Sequence, residues 1–326
     1  MTRLHASLTA VLLVAGIAGH AGTALAAGYP DRAITLVNPY APGGPADTLA
    51  RTLAKSLSER LGQPVIVENR PGAGATVGTS YVSRARPDGY TLVLATSPGN
   101  VVGPLMQKLS YDGVKDFDFI AMVADQPVMV VTNAGTGIDS LKGLIERAKA
   151  KPGSLNFASA GTGGATHLSG ELLQQRAGIQ LTHVPYKGAA PALQDLIGGQ
   201  VELAMLSLAA ALPQIQDGKL KAIAYSGDQR SPLLPEVPTV VESGIPDFRF
   251  STWYVLAAPK GLPDDIKARL NRDVNAINAT PDQQAFLKAQ DATAKPMTPA
   301  ELDAFVAEDH TAMSQLLGSL KLLAQP

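Results

Sequence analysis

The chain has 326 residues, 45% of them hydrophobic and 17% charged, and 27 Lys and Arg against 28 Asp and Glu leave a formal net charge of −1. A near-neutral balance with no basic run and no aromatic ladder argues against nucleic-acid binding, and the absence of cysteine excludes disulfides, thiolate catalysis and cysteine metal sites. The apolar content is ample for real cores, and roughly 300 mature residues fit two domains of about 100–200 residues each.

Arg3 and His5 precede an apolar, small-residue run over 6–18, and Ala24-Leu25-Ala26 follows as a small-x-small cleavage pattern. Residues 1–26 therefore read as a secretory signal peptide. A membrane anchor fits less well. Gly16, Gly19 and His20 interrupt the run, which is short for a span of about 20 apolar residues. No later stretch is apolar and long enough either, and a lipid anchor would need a cysteine. The expected mature protein is exported and soluble.

Residues 33–37 form the first predicted strand. The glycine-rich Ala41-Pro42-Gly43-Gly44-Pro45-Ala46-Asp47 follows, then a helix over 48–61 with Leu49, Leu53 and Leu57 at a period of four. Asp47 is its expected N-cap and Gly62 its stop. A strand over 65–68, a glycine-rich turn over 69–78, a helix over 79–86 and a strand over 91–95 come next. Ser97-Pro98-Gly99-Asn100 reads as a loop off that strand. Strands over 119–123 and 128–133 lead to a helix over 141–150, capped by Asp139 or Ser140, and to a strand over 155–158. The second glycine loop, Ser159-Ala160-Gly161-Thr162-Gly163-Gly164-Ala165-Thr166-His167, opens a helix over 167–177. Strands over 180–184, 201–206 and 222–226 alternate with helices over 190–197 and 209–217. A proline-rich loop over 232–238, a long strand over 249–257, helices over 264–279 and 299–317 and a terminal segment over 319–323 complete the chain.

This alternation predicts an α/β architecture with parallel strands. With strands 128–133 and 249–257 as crossovers, one domain comprises 28–127 plus 250–326 and the other 128–249. Ligands of open α/β sheets bind outside the carboxyl ends of strands. Both glycine loops sit at such ends, so a cleft between the domains follows.

Glycine lets backbone approach a ligand closely, and a helix start presents unpaired N–H groups at the positive end of a dipole. Taken alone, Gly43–Asp47 is a plain strand-to-helix turn. Paired with the second loop, it points to two domains gripping one anion. The second loop lacks the Gly-Lys-Ser/Thr ending of a phosphate-binding loop. Ser159 and His167 lie in no Gly-x-Ser-x-Gly elbow and have no evident orienting acid, so no enzyme is expected. His167, His183 and His310 are scattered in sequence, which gives no metal site, and no cofactor is expected. His167 is read as bonding locally in the first helical turn, His183 as structural, and Lys187 as solvated. The glycine-rich stretch 69–78 fits cleft lining or simple turn chemistry equally.

Motifs along the whole mature chain carry a family resemblance. They include Tyr29-Pro30-Asp31-Arg32, Pro42-Gly43-Gly44-Pro45-Ala46-Asp47, Val67-Glu68-Asn69-Arg70-Pro71-Gly72-Ala73-Gly74 and Arg86-Pro87-Asp88-Gly89-Tyr90-Thr91-Leu92. Ser159-Ala160-Gly161-Thr162-Gly163, His183-Val184-Pro185-Tyr186-Lys187-Gly188, Pro235-Glu236-Val237-Pro238-Thr239 and Trp253 before Leu256-Ala257-Ala258-Pro259 continue them in order. The chain resembles the Bug family of periplasmic solute-binding proteins, the receptors of tripartite tricarboxylate transporters.

The resemblance implies a type II periplasmic-binding-protein fold: two α/β domains joined by crossover strands, closing on a ligand between them. It implies a small organic carboxylate held by backbone N–H groups of two loops and delivered to membrane permease subunits. Carried over, the ligand-binding residues are Pro42, Gly43, Gly44, Pro45 and Ala46 in one loop and Ser159, Gly161, Thr162 and Gly163 in the other. Ser97 and Tyr186 are placed toward the distal cleft. Ser207 stands where the family often has Asp, and Ser97-Pro98-Gly99 replaces a Thr- or Ser-rich stretch. A monomer is expected. A sensory binding protein signalling to a membrane regulator would share this fold, and an exported hydrolase is the reading from another class.

Overall fold

The computed structural model describes residues 28–186 and 188–324. The signal-peptide reading of 1–26 and the reading of Lys187 lie outside the described residues. The chain opens with β1 (Ile34–Asn38), α1 (Pro45–Leu61), β2 (Val65–Asn69), α2 (Thr76–Ser83), β3 (Thr91–Thr96), the short α3 (Gly103–Met106) and β4 (Phe117–Pro127). Then come β5 (Met129–Asn133), α4 (Leu141–Ala150), β6 (Asn156–Ser159), α5 (Ala165–Ala177), β7 (Thr182–Pro185), α6 (Ala189–Ile197), β8 (Leu203–Leu206), α7 (Leu208–Gln216) and β9 (Leu220–Tyr225). It closes with β10 (Ser251–Pro259), α8 (Asp264–Asn278), α9 (Pro281–Ala289) and α10 (Pro299–Ser319).

The strands form two five-stranded sheets, ordered β2-β1-β3-β10-β4 and β7-β6-β8-β5-β9. The first sheet holds strands from both ends of the chain, and the second holds the middle. Local signals explain most elements. In α1 the period-four leucines Leu49, Leu53 and Leu57 are all buried, and Gly62 ends the helix at φ +69 while donating its N–H to Ser58 O at 3.0 Å. Ser140 caps α4 by accepting the Gly143 N–H at 3.1 Å.

The expected parallel pairing holds within the βα units but not for the strands that cross between the sheets. β1 runs parallel to β2 and β3, but β10 runs antiparallel to β3 and β4. In the second sheet β5 runs antiparallel to β8 and β9. The reason is the double crossing. The chain leaves the first sheet along β4 and returns along β10, so the two strands lie side by side in opposite directions, from Ser251 opposite Pro127 to Pro259 opposite Phe117.

β4 is twice as long as the strand predicted over 119–123. It carries Asp118 inside the sheet, where Lys260 and Lys267 and the N–H groups of Gly261 and Leu262 neutralise and satisfy the carboxylate. The expected loop over 97–100 is instead a wide helical turn, Pro98–Val102, running into α3. Pro98 suits a helix start, and a side chain at Gly99 would stand 2.5 Å from Thr79 Oγ1, so this glycine serves packing. Gly78 likewise lies inside α2, where a side chain would meet Arg70 O at 2.9 Å. The sequence reading misses α9, a mostly polar helix with few apolar positions to mark its period.

One core cluster joins the first sheet and its helices to α5. Leu36, Leu94, Ile120, Leu256 and Val306 belong to it together with Phe157, Leu168 and Leu173. A second cluster around Met129, Ala204, Leu206 and Leu220 lies within the middle segment. Among the described residues no helix is long and apolar enough to cross a membrane.

Candidate functional site

The first glycine loop leaves the carboxyl end of β1. Gly43 adopts φ +85, a conformation that favours glycine, and Gly44 (φ −88, ψ 174) is the N-cap of α1. Pro45 occupies the first helical position, where its missing N–H costs nothing. Asp47 is therefore not the expected N-cap. It sits in the first turn, 5% exposed, and reaches back to accept the Gly43 N–H at 3.0 Å. Arg51 Nε donates to the same carboxylate at 2.9 Å, and Asn69 Nδ2 donates to its other oxygen at 2.8 Å. The hydrogen bond from Arg51, aided by those from Gly43 and Asn69, holds the Asp47 carboxyl well below the usual carboxylate range. Pro42, Gly43 and Pro45 are exposed, Gly44 is half-buried and Ala46 is buried. The N–H groups of Ala46 and Asp47 have no acceptor within the helix.

The second loop repeats this construction at the carboxyl end of β6. Gly163 adopts φ +77, and Gly164 (φ −76, ψ 165) is the N-cap of α5. The first-turn residue His167, 5% exposed, accepts the Gly163 N–H on Nδ1 at 3.1 Å. Thr166 Oγ1 accepts the Ala160 N–H at 2.9 Å. Gly161 takes φ +139, and Thr162 is exposed at the tip. Ser159 is fully buried beneath the loop. Its hydroxyl lies 2.7 Å from His183 Nε2 and accepts the Gly161 N–H at 3.2 Å. Tyr186 braces the loop from the side, donating its N–H to Ser159 O at 3.0 Å and its hydroxyl to Asp195 at 2.6 Å.

His167 and His183, scattered in sequence, are brought together. Their rings stack with centroids 4.0 Å apart, and Phe157 packs beside both, 4.8 Å from His183 and 6.4 Å from His167. Burial, and then the neighbouring His167, push the His183 imidazole down to about 4. Glu171, one turn along α5, lies 3.5 Å from His167 Nε2.

Ser97, at the end of β3, lines a cavity of about 230 Å³ whose other walls include Ala165 and Leu168 of α5, Trp253 of β10 and Asp309 of α10. The structure thus brings Ser97 beside the first turn of α5. Residues of the first loop are not among these walls. The second loop also abuts the first half of the chain, because a side chain at Gly163 would stand 3.2 Å from Met106 Sδ. His167 bonds locally in the first helical turn and His183 is structural, as expected, whereas the pairing of their rings, the anchoring role of Asp47 and the support from Asp309 were not read from sequence. One available signal was the repeated spacing of a Gly-Gly pair and a polar acceptor four residues after its first glycine. Among the described residues no group of three or more His, Asp or Glu is placed to hold a metal.

Two α/β domains joined by paired strands, each presenting a Gly-Gly helix start at a strand's carboxyl end, define the solute-binding class of protein. The chain belongs to the TctC family, the tripartite tricarboxylate transporter family receptors, whose model matches residues 49–322. It is 40% identical over 312 residues to Protein BugT of Bordetella pertussis, covering 95% of this chain and 94% of that one. Among solved structures it is similar to R. palustris Rpa4515 with adipate (TM-score 0.81, 31% identity, 89% of this chain and 98% of that one). It is also similar to MatC from Rhodopseudomonas palustris with bound malate (TM-score 0.77, 33% identity, 88% and 99%). The family is one of solute-binding receptors, not an enzyme class.

Proposed function

We propose that this protein is a periplasmic receptor, exported by its N-terminal segment, that captures a small organic carboxylate between its two domains and delivers it to the permease subunits of a tripartite transporter. The domains are residues 28–127 plus 250–326 and residues 128–249, and the receptor acts as a monomer. The observation that carries this reading is the matched pair of Gly-Gly helix starts, one on each sheet. Pro42, Gly43, Gly44, Pro45 and Ala46 grip the anion from one side, and Gly161, Thr162 and Gly163 from the other. Ser159 and Tyr186 hold the second loop in shape, and Ser97 borders the space beside it.

Neutral backbone donors and helix dipoles bind a carboxylate without burying a permanent countercharge, whose desolvation is costly. A ligand touching both loops makes more contacts when the domains close, and so favours the closed form. The similar MatC and Rpa4515 structures, with malate and adipate, support the carboxylate class.

The test is a thermal-shift screen of purified, ligand-stripped protein against mono-, di- and tricarboxylates, acidic amino acids and aromatic acids. A ligand at 100 times its dissociation constant adds about 2.7 kcal/mol, several degrees at roughly 2–4 °C per kcal/mol. Gly44→Leu and Gly161→Leu should weaken the response. Gly44 is the cleaner variant, since a side chain there meets only Ala41 O at 3.9 Å. A flat response in the wild type confirmed by calorimetry, or unchanged affinity in both variants, would sink the reading.

A further inference from the structure

The two loops share one plan and differ in the accepting group. In each, a glycine at positive φ precedes a glycine N-cap, and its N–H is accepted by a side chain four residues later, in the helix's first turn. In the first loop the acceptor is the Asp47 carboxylate, held ionised by Arg51 and Asn69. In the second it is His167 Nδ1.

A backbone N–H only donates, so the Gly163 bond requires Nδ1 of His167 to carry no proton. A proton there would set donor against donor at 3.1 Å. The rest of the loop leans on the same pair of rings, because Ser159 ties the Gly161 N–H to His183. The titratable groups that bear on the stack are the two imidazoles themselves and Glu171, 3.5 Å from His167 Nε2. Two protonated rings 4.0 Å apart would repel, so the pair takes up its first proton far more readily than a second.

We infer that His167, supported by His183, is a positioning residue whose neutral imidazole sets the second glycine loop for anion binding, and that proton uptake by the stacked pair releases this loop while the Asp47-anchored loop stays set. Acid therefore loosens the grip from one side of the cleft only. The inference rests on the carboxylate-receptor reading for its effect on affinity, but its structural coupling is testable without ligand.

The amide resonance of Gly163 and the ring resonances of His167 are followed by NMR from pH 8 to pH 4 in ligand-free protein. The Gly163 amide should titrate with the His167 ring in the wild type. It should stay still in His167→Asn, whose amide oxygen takes the place of Nδ1 and does not titrate. His183→Phe keeps an aromatic ring in the stack and leaves His167 as its one titrating ring, so the Gly163 amide should still follow pH in this variant. Affinities for malate and adipate are then measured by calorimetry. His167→Asn should bind within about threefold of wild type at pH 7.5 and lose less affinity on acidification. His167→Leu, which offers no acceptor, should bind roughly tenfold more weakly. A Gly163 amide indifferent to His167 titration overturns the inference. So does a His167→Leu protein that binds as wild type while Gly44→Leu is weakened. A wild type that binds no member of the carboxylate panel counts against the receptor reading instead, and the amide titration still decides the coupling.

Discussion

Ser97 Oγ donates to Asp309 Oδ2 at 2.7 Å, and Trp253 Nε1 donates to the same oxygen at 3.0 Å, so one carboxylate on α10 ties the end of β3 to the returning strand β10. Burial pushes the Asp309 carboxyl up, against these two hydrogen bonds. For an acid raised by folding, the stability contribution is present at low pH and is lost as pH rises through the folded value. Asp309→Asn keeps an acceptor for both donors and removes the buried charge, so its Tm at pH 7.5 is expected to be no lower than wild type. Asp309→Ala leaves both donors unpaired and should cost about 1–3 kcal/mol. Calorimetric melts of the two variants decide this, and an Ala variant as stable as wild type would refute the role.

Asp118 accepts from Lys260 Nζ at 3.1 Å, Lys267 Nζ at 3.0 Å, and the Gly261 and Leu262 N–H groups at 2.8 and 3.0 Å. Burial alone would raise its carboxyl, but these four bonds outweigh burial and hold it low. The sign is then opposite to Asp309. Its contribution is present above the unfolded value of about 4 and is lost as pH falls through the lower folded one. Asp118→Ala leaves the largely covered Lys267 and two amides without their acceptor, and about 3 kcal/mol of destabilisation is expected. Urea unfolding at pH 7 and pH 3 checks both size and sign, since the gap between variant and wild type should shrink at pH 3.

His183 gives a third window. Burial and the neighbouring His167 bring its imidazole down to about 4 in the folded protein, from an ordinary value of 6.5. The unfolded chain therefore binds more protons between these limits, and stability falls as pH drops from about 6.5 to about 4. The ring is half-buried and solvent-screened, so about 1–2 kcal/mol is the expected fall. In His183→Phe this part of the pH slope should vanish, and melts at pH 7, 5.5 and 4 will show whether it does.

Asp47 holds the first loop by three donors. Asp47→Ala should lower stability by about 1–3 kcal/mol, because the Gly43 N–H and the Asn69 amide lose their acceptor. It should also weaken carboxylate binding at pH values where His167→Asn does not. Equal affinity of Asp47→Ala and wild type would mean that the first loop needs no anchor.

Local rules determined much of this molecule from sequence. The leucine period of α1, the Gly62 stop and the Ser140 cap act within four residues of one another, so they are legible wherever they occur. The placing of both glycine loops at strand ends was legible for the same reason. Tertiary structure alone decided that β10 runs antiparallel between β3 and β4, because strand order depends on how often the chain crosses between sheets. It alone stacked His183 on His167, and it alone carried Asp309 to Ser97 across 212 residues. Asp47 shows the boundary between the two kinds of information. Its residue type predicts a cap, and only the neighbouring Pro45, Arg51 and Asn69 turn it into the anchor of the loop behind it. Propensity and capping are energies of short chain segments, whereas these supports are energies of burial, and burial is defined only once distant segments have packed.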